Sequence, residues 1–197
     1  MSRLIESIKL LDGKYFNLSY HQERMTRSLN LLYGIDAIDI ERFLQGFQHP
    51  RKGLYKCRVV YDHIDTAIDF AAYEPRKIRR IKIVADDTIS YACKFEDRQP
   101  IDRLFQQRGD CDDVLIVKDG RLTDCSFANI VFRKGREWFT PSSPLLAGTI
   151  RQKLIDENKI VCREIRPEDI RSFETFKIIN AMLEFNMPEI EVSEIVF

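Results

Sequence analysis

The sequence lacks an excess of charge of either sign. Its 31 lysines and arginines are matched by 31 aspartates and glutamates, which argues against a protein whose main work is gripping polyanions such as nucleic acids. It also lacks a C-x-x-C pair. The five cysteines stand at 57, 93, 111, 125 and 162, and there are only three histidines, His21, His49 and His63. No zinc-ligand spacing results, so no metal is expected, and reduced thiols in a cytoplasmic protein are. No apolar run approaches the ~18 residues of a membrane span. The opening Met1-Ser2-Arg3-Leu4-Ile5-Glu6 carries charge within its apolar run and no small-residue cleavage site, so it does not read as a signal peptide. Repeats and low-complexity tracts are missing as well. What is present is 197 residues, 44% apolar and 31% charged, an ordinary globular composition with enough chain for one domain or two small ones.

Local patterns give the elements. Residues 4–11 (LIESIKLL) alternate in part and end at Asp12-Gly13, a hairpin signal, with 14–18 as the return strand. From Tyr20 to Tyr33 the spacing turns helical, with Met25, Leu29 and Leu32 on one face and Gly34 as the stop. A second helix is expected over 39–48, then strands over 53–62 and 66–73, which makes the first half β-β-α-α-β-β. Pro75 interrupts the pattern and marks the boundary. Beyond it the chain predicts a strand over 79–85, a helix over 97–107, a hairpin 113–124 turning at Asp119-Gly120, and a second around Lys134-Gly135. A helix over 149–158, a strand over 160–165, a short helix over 167–173 and a buried strand over 176–180 follow.

Few residues suggest chemistry one at a time. Arg76–Lys82 holds five basic residues in seven, but without the aromatic interleaving of single-strand binders it reads as a solvated strand face. Asp86-Asp87 and Asp112-Asp113 read as turn or cap aspartates, because neighbours on a strand point to opposite faces. His21 reads as a packed or capping histidine. Lys94 is more unusual. It stands in Ile89-Ser90-Tyr91-Ala92-Cys93-Lys94-Phe95, where apolar neighbours can lower a lysine's pKa and make it a nucleophile toward carbonyls, the alternative being a lysine that reaches to water. The loop Leu145–Arg151 places Gly148 before a helix, where backbone N–H groups and the helix dipole can meet an anion.

Five segments in order, LIESIKLLDGKYFNLSYHQERM, YACKFEDR, DDVLIVKDGRLTDCSFANIVF, PSSPLLAGTIRQKLI and FKIINAMLEFNMPEI, resemble the class IV aminotransferases, the pyridoxal-phosphate enzymes of fold type IV. The resemblance covers nearly the whole chain, and the third segment is the most specific. It implies an α+β fold of two domains, an N-terminal α/β sandwich over 1–75 and a C-terminal antiparallel pseudo-barrel with helices over 76–197. The cofactor would occupy the cleft, and the protein would be a homodimer.

By the same resemblance, Lys94 would bond covalently to pyridoxal 5'-phosphate and move the substrate proton. Asp124 stands where the family usually has glutamate and would hold the pyridine nitrogen protonated. Arg24 would clamp the cofactor phosphate, joined by the Gly148 loop with the backbone N–H groups of Thr149 and Ile150 and by the Thr149 hydroxyl, with Asn180 and Ala181 closing the phosphate side. By the resemblance, the strand over 4–11 with Glu6 matches the family's opening Glu-strand, so the family's first hairpin, before it, and its terminal helix, after Ile190, are expected to be missing. Asn180-Ala181-Met182, and Ile5 where D-amino-acid transaminases have an aromatic residue, favour a 4-amino-4-deoxychorismate lyase-like activity in folate synthesis. The alternatives are a branched-chain or D-amino-acid type aminotransferase acting on a small amino substrate, and a cofactor-binding relic with impaired catalysis.

Overall fold

The structure, a computed structural model, describes residues 3–197. It divides into two compact units, one holding the residues up to Pro75 together with Cys93–Asp97, the other Arg76–Ala92 and Arg98–Phe197.

In the first unit β1 (Leu4–Leu11) turns at Asp12 and Gly13, whose φ of 48° and 78° are the left-handed pair that a two-residue hairpin needs. β2 is only Lys14–Tyr15. The expected return strand stops there because Asn17 also takes a left-handed φ, 57°, and launches α1 (Leu18–Tyr33). Gly34 ends α1 with φ 68°, its N–H on the Asn30 carbonyl. α2 (Ile40–Gln45) is shorter than the 39–48 read from sequence and is capped by Asp39, whose Oδ1 accepts from Arg42 N at 3.0 Å. β3 (Leu54–Tyr61) and β4 (Thr66–Ala72) complete an antiparallel sheet in the order β2-β1-β3-β4. Cys93–Asp97 lies along β1: Ile5 N donates to the Lys94 carbonyl, and Glu96 N to the Arg3 carbonyl, both at 2.8 Å. Positions 21, 24, 25, 28 and 29 of α1 form its buried stripe. Met25 and Leu29 pack with Leu4, Ile8 and Val59 in the core.

The second unit contains β5 (Ile81–Ala85), α3 (Gln99–Phe105) with a 3-10 turn at Gln106–Arg108, β6 (Asp113–Lys118), β7 (Arg121–Cys125), β8 (Asn129–Lys134) and β9 (Glu137–Pro141). Then come α4 (Thr149–Asp156), β10 (Val161–Arg163), a 3-10 turn at Pro167–Ser172, β11 (Thr175–Ile179), β12 (Ile190–Glu191) and β13 (Ile195–Val196). The sheet runs β10-β9-β8-β7-β6-β5-β13, and β11 pairs with β8 and β12. The pairs β9–β10, β5–β6 and β5–β13 are parallel and the others antiparallel. Leu115, Ile130, Phe132 and Phe176 fill the core. The α+β class read from the sequence holds.

The basic run is structural. Arg76 lies over the Phe105 and Phe127 rings at 5.4 and 4.9 Å, Arg79 N and Arg80 N donate to Asp112 Oδ2, and Lys82 Nζ reaches the Gln107 carbonyl. Asp86, Asp87 and Asp112 serve backbone N–H groups as turn aspartates do. Asp113 corrects that reading: it is the first residue of β6, a strand buried on both faces, and is fully buried itself, its Oδ1 accepting Val114 N.

Candidate active site

Arg24 sits on the buried stripe of α1, not on an exposed helix face, because β1 places an acid opposite it. Leu4, Glu6 and Ile8 point to one side of β1 by the two-residue period, so Glu6 enters the same layer as the core residues around it. Arg24 Nε donates to Glu6 Oε1 at 2.8 Å and its Nη2 to Glu6 Oε2. His21 Nδ1 donates to Glu6 Oε2 at 2.6 Å, since an ionised carboxylate can only accept. Burial resists ionisation of Glu6. The Arg24 charge and the bonds from His21 and Arg24 outweigh it and hold the carboxyl down at about 2. Burial also pushes the His21 imidazole below its usual range, against the pull of Glu6, and the ring is neutral at pH 7. Lys94 is half-buried. Its carbonyl is fixed by Ile5 N, next to Glu6 in sequence, and its charge is near enough to act on His21.

The second group is built around the β7–β8 turn. Asp124 pairs with Asn129 across it, and Cys125 N closes the turn on the Ala128 carbonyl at 2.9 Å. The buried Asp124 carboxyl accepts Asn129 Nδ2 on Oδ1 at 2.7 Å and Leu146 N on Oδ2 at 2.8 Å. Asn129 Nδ2 also donates to the Leu146 carbonyl at 2.9 Å. One asparagine thus ties the acid to the loop before α4. Burial raises the Asp124 pKa to about 6, although Leu146, Asn129 and the Arg151 charge pull it down. Gly148 has an ordinary φ of −71°, so its backbone does not demand glycine. Space does: a Cβ there would stand 2.0 Å from Asn129 Oδ1. Gly148 caps α4 with no side-chain bond, and Thr149 and Ile150 form the buried first turn. The first N–H groups of a helix have no partner inside it and favour an anion.

Arg151, behind this turn, donates to the Pro141 carbonyl at 2.9 Å and to Cys162 Sγ at 3.2 Å. Asn180 holds a turn: its Oδ1 accepts Met182 N and Leu183 N, and its Nδ2 donates to the Phe127 carbonyl beside the β7–β8 turn. Ala181 is half-buried within that turn.

The structure therefore gathers Asp124, Gly148, Thr149 and Ile150 around Asn129 and Leu146, with Asn180 tied to the same turn. It gathers Arg24 with Glu6 and His21. His21 is the packed histidine of the two alternatives read from the sequence, fully buried against Glu6; the sequence pattern gave no role to Asn129 or Glu6. A charged residue alternating with Leu4 and Ile8 on a core strand was the available signal for Glu6; no local pattern marked the Asn129 bonds. Among the described residues no group of three His, Cys, Asp or Glu is placed to hold a metal. No helix of the described residues is long and apolar enough to cross a membrane.

Compared with known proteins, residues 101–187 match the model of the amino-transferase class IV family. An uncharacterized protein of Haemophilus influenzae is 42% identical over 185 residues, covering 92% of this chain and 98% of that one. A crystal structure from Haemophilus somnus 129PT, provisionally named a 4-amino-4-deoxychorismate lyase, is 37% identical. It covers 94% of this chain and 98% of that one with a TM-score of 0.88. The PLP-bound form of a hypothetical aminotransferase from Mycobacterium tuberculosis shares the fold at 14% identity and a TM-score of 0.73, over 98% of this chain and 81% of that one. With a relative matched at 37% identity over nearly its whole length and a family model matched in the same chain, the protein belongs to the class IV aminotransferase family.

Proposed function

We propose that the chain is a pyridoxal-phosphate enzyme of the 4-amino-4-deoxychorismate lyase type, which eliminates pyruvate to leave 4-aminobenzoate for folate synthesis. The observation that carries the cofactor reading is the buried Asp124 carboxyl, pinned by Asn129 and Leu146 next to an uncapped helix N-terminus. An acid and a backbone anion site in that arrangement fit a molecule that carries a ring nitrogen and a phosphate. The lyase assignment rests on the likeness to the Haemophilus somnus protein and on Asn180-Ala181-Met182.

When bound, the cofactor supplies a carbonyl that condenses with amines and a cationic ring that takes up the electron pair released at the neighbouring carbon. The chain's own residues do the rest. Asp124 would hold a proton on the ring nitrogen; its two fixed donors keep the carboxyl in one orientation, and burial would strengthen its pairing with a cation. The Thr149 and Ile150 N–H groups would bind the phosphate, and the family resemblance gives the Arg24 guanidinium the same role. The Lys94 amine would be the point of covalent attachment and the base that takes up and returns the substrate proton. Asn180 and Ala181 close the phosphate side by shaping the turn that abuts Phe127. In this reading the two compact units are the two domains of the fold, and the protein works as a cytoplasmic homodimer.

The test is direct. Purified protein should show a visible absorption band and release pyruvate from 4-amino-4-deoxychorismate. Amino transfer from branched-chain or D-amino acids to a 2-oxo acid, without pyruvate release, would favour the aminotransferase reading. A band with no turnover would leave a cofactor-binding protein with impaired catalysis.

A further inference from the structure

Glu6 sets a negative charge against the arginine that the proposed function gives to a phosphate. On charge alone it should weaken anion binding. The geometry argues the opposite. Two of the five Arg24 donors are taken by the two oxygens of one carboxylate, a bidentate grip that fixes the guanidinium plane. The carboxylate is itself held by the neutral His21 through a 2.6 Å bond. All three side chains are buried, and they come from β1 and one face of α1, both rigid elements.

We propose that Glu6, braced by His21, is a positioning residue that presets the Arg24 guanidinium for a phosphate, so that removing either member weakens phosphate capture although neither touches it. This inference rests on the reading of Arg24 as a phosphate ligand. A guanidinium fixed beforehand loses less side-chain freedom when the anion arrives, and that saving appears as affinity. His21 is neutral, so its loss changes no charge. Glu6→Gln removes a negative charge, and a purely electrostatic role predicts tighter phosphate binding where positioning predicts weaker.

The measurement is the affinity of cofactor-free protein for pyridoxal phosphate and for pyridoxal, which lacks the phosphate, in wild type, Glu6→Gln, His21→Leu and His21→Asn. The ratio of the two affinities isolates the phosphate contribution from general damage. The ratio should fall about ten-fold in His21→Leu, the order expected for one charge-assisted hydrogen bond. It should fall further in Glu6→Gln. His21→Asn, whose amide can donate near the Nδ1 position, should restore most of it. An unchanged ratio in His21→Leu, or a raised ratio in Glu6→Gln, overturns the inference while leaving the cofactor reading intact. Wild-type protein that binds neither compound overturns that reading and this inference with it. If Glu6→Gln does not fold, the His21 pair alone decides.

Discussion

The two units bury carboxylates in opposite ways. In the first, Glu6 faces a guanidinium and an imidazole, and its pKa is held down at about 2. In the second, Asp124 is hydrogen-bonded only to an amide side chain and a backbone N–H, with the Arg151 charge acting on it without a bond, and burial raises it to about 6. Both side chains are buried. The partners decide the direction: a formal positive charge offsets desolvation, while neutral donors only reduce it. The first acid is a permanent charge suited to holding another residue still. The second is strained toward neutrality, and an arriving cation would relieve it. The comparison therefore separates a scaffold acid from an acid that awaits a ligand.

The largest break in it should come from Arg24→Ala, which leaves Glu6 buried without its countercharge. Removing one partner of a buried pair costs about 3–5 kcal/mol, so this substitution should damage folding as well as cofactor affinity. Thermal or urea unfolding reads it.

Acid titration sharpens the contrast because the two acids pull in opposite directions. Glu6 has a folded pKa below its ordinary 4.5. Its contribution is present above 4.5 and is lost as pH falls through about 2, a span equivalent to about 3 kcal/mol. Asp124 has a folded pKa above its ordinary 3.8. Its contribution is present below 3.8 and is lost as pH rises through about 6, of similar size. Unfolding free energy measured from pH 2 to 7 should show both limbs, and Asp124→Asn should flatten the one between about 4 and 6. That substitution is not silent structurally: an amide has one acceptor where Asp124 uses two, so one donor, Asn129 or Leu146, is left facing an N–H. A cost of about 1–3 kcal/mol is expected at pH 4, where the aspartate would be neutral.

Gly148→Ala should act through Asn129. The new Cβ cannot stand 2.0 Å from Oδ1, so Asn129 must move and loosen Asp124. A stability loss of about 1–2 kcal/mol is expected, with a larger proportional loss of cofactor affinity by equilibrium titration. Asp113→Asn should have the smallest effect and the opposite sign. Burial raises the Asp113 pKa, and the bonds from Ser126 and Val114 N and the Arg76 charge only reduce that rise. Replacing a carboxylate by an amide there should raise stability at pH 7 by up to about 1 kcal/mol, visible as a higher Tm.

What the sequence made legible was local. The alternation over 4–11 with Asp12-Gly13, the helical period from Tyr20 and the glycine before α4 each lie within a few residues of their cause. The return strand was overextended because the left-handed Asn17 leaves no hydrophobic signature. The burial of Asp113 and Arg24 was not legible, since it depends on which strand or side chain a distant segment supplies. Arg24 meets Glu6 across 18 residues, and Asp124 meets Leu146 across 22. The family resemblance pointed to Lys94, Asp124 and Arg24; the structure adds that Asn129 and Glu6 hold two of them in place.

If the proposed function holds, this chain carries pyridoxal phosphate on Lys94. Borohydride reduction of the protein loaded with the cofactor, followed by proteolysis and peptide mass mapping, tests it most directly. A pyridoxyl adduct is expected on Lys94 in the peptide that contains Tyr91–Phe95, and none in Lys94→Ala. An adduct on another lysine, or none at all after reduction, would contradict it.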